Sequence, residues 1–222
     1  MRAPPLSPNR PTSVTLAASM APPPSKRRKK ELRCEWCLSA PENTLYHDTE
    51  WGVPVYDDQK MFEFLLLETF QAGLSWLLIL RKRAAFAAAF HNFDVHKVAN
   101  MTAHDMARLS QDASIVRNKL KIKAAVTNAQ AVIQMRQQGT NLAHYFWQWV
   151  HYKPVHNLAN GIAVSKNALS DDISKDLKKR GFKFVGSTVI YAHLQATGII
   201  NDHVKTCPRY KHVQKLVRDK PP

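Results

Sequence analysis

The sequence is short of three things, and each shortage excludes a class of protein. Long apolar runs are missing. Stretches such as residues 64–67 and 74–80, the second broken by Ser75, fall far below the roughly 18 uninterrupted apolar residues that a membrane helix needs. An integral membrane protein is therefore excluded. Cysteine is scarce and odd in number: Cys34, Cys37 and Cys207. Without a secretory signal stretch, that argues against a disulfide framework. Acid is scarce as well. Seventeen Asp and Glu face 32 Lys and Arg, a net charge of +15. Such a balance disfavours cationic partners and favours a polyanion, with nucleic acid ahead of an anionic membrane surface. What is present in ordinary amounts is core: 222 residues with 45% apolar content suffice for one large domain or two small ones.

The charge is unevenly placed. Residues 1–30 contain no acid and carry Arg2, Arg10 and the run from Lys26 to Lys30, together with seven of the 13 prolines. This composition cannot bury a core and reads as a disordered basic arm. Its use is open between a solvated extension, a transit peptide and a basic localisation signal, and Met20 is an alternative start. The remainder carries a net +8. The domain organisation expected is an arm over 1–30, a helical domain over 31–208 and a basic C-terminal tail over 209–222.

Proline is absent from residues 55–153, where only Gly73 and Gly139 break the chain. A hundred residues rich in Ala, Leu, Lys and Gln without breakers predict helices. Asp57 and Asp58 can cap a helix carrying Met61, Phe62, Leu65 and Leu66. A second helix is expected over 75–90, and Thr102 with Asp105 reads as a capping box. Residues 115–138 repeat apolar side chains at helical spacing and end at Gly139. Ser170 can cap a helix over 171–180, and another helix is expected over 188–197. The fold class is all-α, with an irregular segment around 152–167.

Cys34-x-x-Cys37 and His203-x3-Cys207 both suggest zinc, which favours thiolate and imidazole and needs four ligands for a closed site. His47 brings the candidates to five, one more than required. Ordinary buried cysteines and surface histidines are the alternative. Between the last two predicted helices, Arg180-Gly181-Phe182-Lys183-Phe184-Val185-Gly186-Ser187-Thr188 forms a hairpin with two glycines. The N–H groups of Val185 to Thr188, at the start of the second helix, can hold a DNA phosphate. Lys178, Lys179, Arg180 and Lys183 add charge, a contact that positions DNA without reading its sequence. An ordinary capped helical hairpin is the alternative.

Trp36, Tyr46, Trp51 and Trp76 fall within 41 residues. Aromatics usually pack in cores. Glu68 is more informative, because it sits inside an apolar stretch and a buried carboxylate needs a partner. A purine presenting N–H groups between tryptophans is one such partner; an Arg or Tyr46 inside the protein is another.

Five segments in order carry a resemblance: Arg33-Cys34-Glu35-Trp36, residues 46–54 (Tyr46-His47-Asp48 through Pro54), residues 71–76 (Gln71-Ala72-Gly73-Leu74-Ser75-Trp76), residues 180–186, and Asn201-Asp202-His203-Val204. Together they resemble the DNA-3-methyladenine glycosylase I family, bacterial enzymes of base-excision repair. The resemblance runs from about residue 33 to 207. It implies the helix–hairpin–helix DNA glycosylase fold and a structural zinc joining the two ends of the domain, held by Cys34, His47, His203 and Cys207, with Cys37 spare. It further implies Glu68 as the catalytic and base-reading carboxylate. Tyr46 would bond the purine, Trp76 would stack on it, Trp36 would line the pocket, and Leu74 would wedge into the duplex where the base leaves. Lys183, Val185, Gly186 and Ser187 would contact DNA. Asn43 stands where the family often has an aromatic. Asn201 stands where many superfamily relatives place a catalytic Asp, which makes Asp202 a poor candidate for that role. With no lysine standing out as a Schiff-base nucleophile, the resemblance implies a monofunctional, monomeric, cytoplasmic bacterial enzyme acting on 3-methyladenine in double-stranded alkylated DNA. Two other readings compete: a non-enzymatic zinc-stabilised DNA-binding module, and a zinc hydrolase using Glu68 as base.

Overall fold

A computed structural model of the chain describes residues 32–156 and 164–217. The proposed arm, part of the segment expected to be irregular, and the last five residues lie outside them.

The described chain is mostly helical. A 3₁₀ turn, Glu35–Ser39, leads into α1 (Pro41–Thr49), α2 (Asp58–Gln71) and α3 (Trp76–Ala89). Then follow α4 (Val95–Ala99), α5 (Ala103–Leu109), α6 (Lys119–Gln137) and α7 (Leu142–Gln148). The hairpin helices are α8 (Ala168–Lys179) and α9 (Ser187–Ala196), and α10 (Pro208–Gln214) closes the order. The core is built on α2. From Phe64 to Phe70 every side chain is buried, so this helix is enclosed on all faces rather than amphipathic. Helices α3, α6, α7 and α9 pack around it.

Local chemistry sets most of the boundaries. Asp57 caps α2 by accepting from Lys60 N (2.7 Å), and Ser75 caps α3 by accepting from Leu78 N (3.3 Å). Thr102 and Asp105 form the expected reciprocal box at α5. Asp58, expected to share the α2 cap, instead accepts from Leu142 N and Ala143 N at the start of α7 and pairs with Arg136.

Other expectations shift. Helix α6 begins at Lys119, not at 115, because Asn118 captures Leu120 N and Lys121 N. Helix α8 begins at Ala168, two residues before the expected cap. Asn167 caps it, and Ser170 is the returning partner of a capping box. Two two-residue strands, β1 (Val155–His156) and β2 (Ile200–Asn201), pair in parallel. They are too short to show an alternating pattern. The segment expected to be a tail from 209 is helical through Gln214, with Val213 buried and Asn201 Nδ2 donating to Tyr210 O (3.1 Å).

Candidate functional site

The first turn of the described chain, α1, α2, α3, α9 and the segment after β2 enclose a cavity of about 460 Å³. Trp36, Tyr46, Trp51, Glu68 and Trp76 line it, with Gln71, Gln195, Asp202 and Val204. Glu68 lies on the buried helix α2, only 3% exposed, and its Oε2 has no hydrogen-bond partner. Burial pushes its carboxyl pKa up to about 8, because the charged form has lost its water. Tyr46 OH and Trp76 Nε1 are also buried without partners. Burial raises the Tyr46 phenol first, and the nearby Glu68 charge raises it further. The rings frame the opening. Tyr46 and Trp76 lie 5.1 Å apart between centroids, and Trp36 stands edge-on to Trp51 at 5.0 Å. Trp36 is 39% exposed, at the mouth.

A carboxyl, a phenol and an indole N–H left unsatisfied in one buried space are unusual, since buried polar groups are nearly always paired. They form a set of one strong acceptor and two donors suited to a flat heterocycle bearing N–H groups. Leu74, 39% exposed, sits in the turn between cavity residues Gln71 and Trp76.

The metal candidates converge. Donor atoms of Cys34, His47, His203 and Cys207 all lie within 4.8 Å of one another, and all four residues are buried. His47 Nε2 is 3.2 Å from His203 Nδ1, and Cys207 Sγ is 3.6 Å from His47 Nε2. Cys34 Sγ and Cys207 Sγ are 3.7 and 3.9 Å from His203 Nδ1. A tetrahedral cation bound at about 2.0 Å to nitrogen and about 2.3 Å to sulfur has edges of about 3.3 Å (N–N) and about 3.5 Å (N–S). The donors therefore fit such an ion.

Each histidine's other nitrogen is already held. His47 Nδ1 lies 2.8 Å from Asp48 Oδ1, and His203 Nε2 lies 3.0 Å from Trp51 O. These contacts fix ring orientation and leave the facing nitrogens as donors. Burial lowers the pKa of His203 to about 3 and that of His47 as well, so both rings are neutral. Burial pushes Cys34 up to about 12, so a thiolate there calls for a cation beside it. Cys37 is buried but outside the cluster, which removes the Cys34/Cys37 pairing. Gly52 explains part of the neighbouring motif. It has φ +77°, and a Cβ there would lie 2.9 Å from His203 Nε2.

In the hairpin, Gly181 has φ +91° and Gly186 is the N-cap of α9, with no side chain bonding the first N–H groups. Val185 is fully buried, backbone included, and its carbonyl accepts from Ser174 Oγ (2.6 Å), which leaves it no open surface of its own for a DNA contact. The Lys183 N–H is donated to Asn128 Oδ1 (2.7 Å), which leaves its ammonium as the free group. Ser187 Oγ pairs with Ser170 Oγ (2.8 Å), and Arg180 is tied to Asp176 (2.6 Å). Lys178, Lys179 and Lys183 are exposed. Helix α9 links hairpin and cavity: Gln195 on the wall lies eight residues, about 12 Å, from Ser187.

Asn43 is buried, donates to Ser39 Oγ (2.8 Å) and does not line the cavity. Sequence reasoning missed the wall formed by Gln195 and Asp202. Asp202 Oδ2 accepts from Tyr191 OH (2.5 Å) and Gln195 Nε2 (2.7 Å), while its Oδ1 is unpartnered. The signal available was the i, i+4 spacing of Tyr191 and Gln195, which puts two donors on one face of α9.

Among the described residues no helix is long and apolar enough to cross a membrane. The chain is 46% identical over 180 residues to DNA-3-methyladenine glycosylase 1 of Escherichia coli (strain K12), covering 80% of this chain and 96% of that protein. It superposes on a crystal structure of 3-methyladenine DNA glycosylase I with a TM-score of 0.77 at 42% identity, covering 80% of this chain and 98% of that one. A structure of a variant of such an enzyme in complex with 3-methyladenine matches with a TM-score of 0.74 at 37% identity, over 77% of this chain and 92% of that one. The methyladenine glycosylase family model matches residues 36–210, and the chain, an N-glycosylase by that match and its cavity, belongs to this family.

Proposed function

We propose that the protein hydrolyses the N-glycosidic bond of 3-methyladenine in double-stranded alkylated DNA, without lyase activity. The observation that carries this reading is Glu68, a buried carboxyl with an unpartnered oxygen in a cavity walled by Trp36, Tyr46 and Trp76. Glu68 accepts from the purine's N–H groups and Tyr46 OH adds a second hydrogen bond. Trp76 stacks on the base and Trp36 closes over it. Methylation at N3 makes the base cationic in DNA, so the carboxylate and the indole faces favour it over neutral adenine. Turning the base out of the duplex costs a few kcal/mol, and stacking offsets roughly 1–3 kcal/mol of that. Leu74 fills the gap left behind. The free N–H groups of Gly186 and Ser187, with the Lys183 ammonium, hold the backbone phosphate.

The bond between C1′ and the base nitrogen breaks with its electron pair going to the base, which leaves neutral. A water oxygen bonds to C1′ and releases a proton to solvent. The cationic leaving group is already activated, so no strong general acid is needed. A Schiff base is not expected, because among the described residues no lysine lines the cavity. Zinc is the ion that suits a closed Cys₂His₂ set, and Cys34, His47, His203 and Cys207 would hold it as a cross-link between the two ends of the domain. With no open ligand position it would take no part in hydrolysis. The protein acts as a monomer in a bacterial cytoplasm.

Chromatography of bases released from methylated duplex DNA by the purified protein tests this reading. It should yield 3-methyladenine. No released base from a folded, metal-loaded protein would defeat it in favour of a binding module.

A further inference from the structure

Helix α6 carries two buried polar side chains that the proposed mechanism does not use. Lys121 is 5% exposed and Asn128 is 2% exposed. Lys121 Nζ donates to Phe70 O (2.8 Å) and Ala72 O (2.5 Å), the carbonyls at the end of α2. These belong to the last helical turn, whose carbonyls have no partner within the helix, and they lead directly into the Gly73-Leu74 turn. Asn128 Oδ1 accepts from Lys183 N (2.7 Å), and its Nδ2 donates to Lys183 O (3.1 Å). Both backbone groups of one hairpin residue are thus taken by one side chain.

The placement of these two residues is informative. Seven residues apart on a helix, they share a face and stand about 10.5 Å apart along the axis. A buried ammonium facing only backbone carbonyls is a costly way to fill a core position. Among the described residues no carboxylate lies within ion-pair distance of Lys121. A methionine would fill that space without the desolvation. What the two polar groups do, and apolar ones cannot, is fix backbone position at two separate turns. One turn presents Leu74; the other presents the phosphate-binding end of α9.

We infer that α6 is a spacer: Lys121 and Asn128 are positioning residues that set the distance between the wedge turn at Leu74 and the hairpin at Lys183. A wedge must enter the base stack at a fixed distance from the phosphate gripped on the same duplex. A misplacement of about 1 Å at such a step can cost on the order of a hundredfold in rate. The inference rests on the reading of Leu74 and the hairpin as the DNA-facing elements.

The test uses the full chain with Lys121→Met, Asn128→Leu, the double variant and Leu74→Gly. Three quantities are measured: melting temperature, affinity for free 3-methyladenine, and the single-turnover rate of excision from methylated duplex. Lys121→Met and Asn128→Leu should each slow excision about tenfold or more while free-base affinity stays at the wild-type value. The double variant should fall little further, because both act on one spacing. A merely structural role would lower free-base affinity and excision together, and that result overturns the inference. Wild-type excision in both single variants also overturns it. If Leu74→Gly excises at the wild-type rate, the reading of the wedge fails and the spacer falls with it. If Leu74→Gly is slow but the α6 variants are not, only the spacer fails. Should Lys121→Met not fold, Asn128→Leu alone carries the test under the same criteria.

Discussion

Glu68→Gln is the substitution in which structure and chemistry make opposite demands. Glutamine keeps the size and the acceptor oxygen but cannot ionise. In the folded, ligand-free protein the Glu68 carboxyl has a pKa of about 8 against an ordinary 4.5, raised by burial alone. Between those values the folded state holds a proton that the unfolded state has released. Stability therefore falls as pH rises through this window and levels off above the folded value. The slope is about 1.4 kcal/mol per pH unit for one fully shifted group. From pH 5.5 to 7.5, Glu68→Gln should accordingly gain roughly 2–3 kcal/mol on the wild type. Other titrating groups, the cysteine and histidine cluster included, are common to both proteins and cancel in the difference. Urea unfolding of the two proteins at half-unit pH steps measures it. Glu68→Gln should also bind duplex DNA nearly as the wild type does and release almost no 3-methyladenine. Parallel stability curves across this range would falsify the claim that Glu68 is a desolvated, unpaired carboxyl. Loss of folding in the variant would make Glu68 structural.

Cys34→Ser or Cys207→Ser should bind metal weakly and lower the melting temperature by roughly 5 °C or more; metal content and calorimetry on the same samples check this, and an unchanged melting temperature with full metal content would refute it. The same variants should lose affinity for free base, since Cys34 holds the turn that carries Trp36. Gly52→Ala forces a positive φ on alanine and brings a Cβ to 2.9 Å from His203 Nε2. It should cost about 1–3 kcal/mol and reduce metal occupancy, readable by denaturation and metal analysis. Deleting residues 1–30 removes seven positive charges. It should weaken duplex affinity and flatten its salt dependence without changing which base is released; a changed base preference would show that the arm reaches the cavity.

Much of the fold was legible because helix boundaries here are single-residue chemistry. Asp57 and Thr102 are visible caps in the sequence, and each caps its helix, while Ser75, expected as the first residue of its helix, is instead that helix's cap. The exceptions also have local causes. Asn167 and Ser170 form a box in which either residue could have been the cap, and the structure gives that place to Asn167. Helix α10 looked like tail because its composition is basic, yet Cys207 stands at its N-cap and Val213 anchors it. Glu68 was legible as a carboxylate in the wrong company. The choice between Cys34 and Cys37 was not legible from spacing. Cys34 lies just outside the 3₁₀ turn in extended backbone, with ψ 131°, and Cys37 lies within it, so equal candidates in sequence are placed apart in space. Asp202 was discounted by position in a motif, whereas its place in the wall depends on two donors from α9 that the motif does not contain.

The metal cluster and the cavity are interleaved along the chain, and this bears on what the cross-link is for. Cys34 lines the cavity itself and is followed by Glu35 and Trp36 on the same wall. Tyr46 precedes His47, Asp202 precedes His203, and Val204 lies between His203 and Cys207. Trp51, another wall residue, accepts the His203 hydrogen bond through its carbonyl. Every donor to the ion is thus a cavity residue or within three positions of one. If the cluster served only to hold two chain ends, its ligands could sit anywhere near those ends. Spliced into the wall, they fix the backbone on either side of the rings that would clasp a base. The large core around α2 contains none of the four ligands, while Trp36, carried by a short turn at the mouth, packs edge-on against the ligand His47 (5.5 Å) and against Trp51 (5.0 Å), whose carbonyl holds His203. An ion held there would therefore act chiefly on the geometry of the base site, and stability would be the lesser part of its contribution.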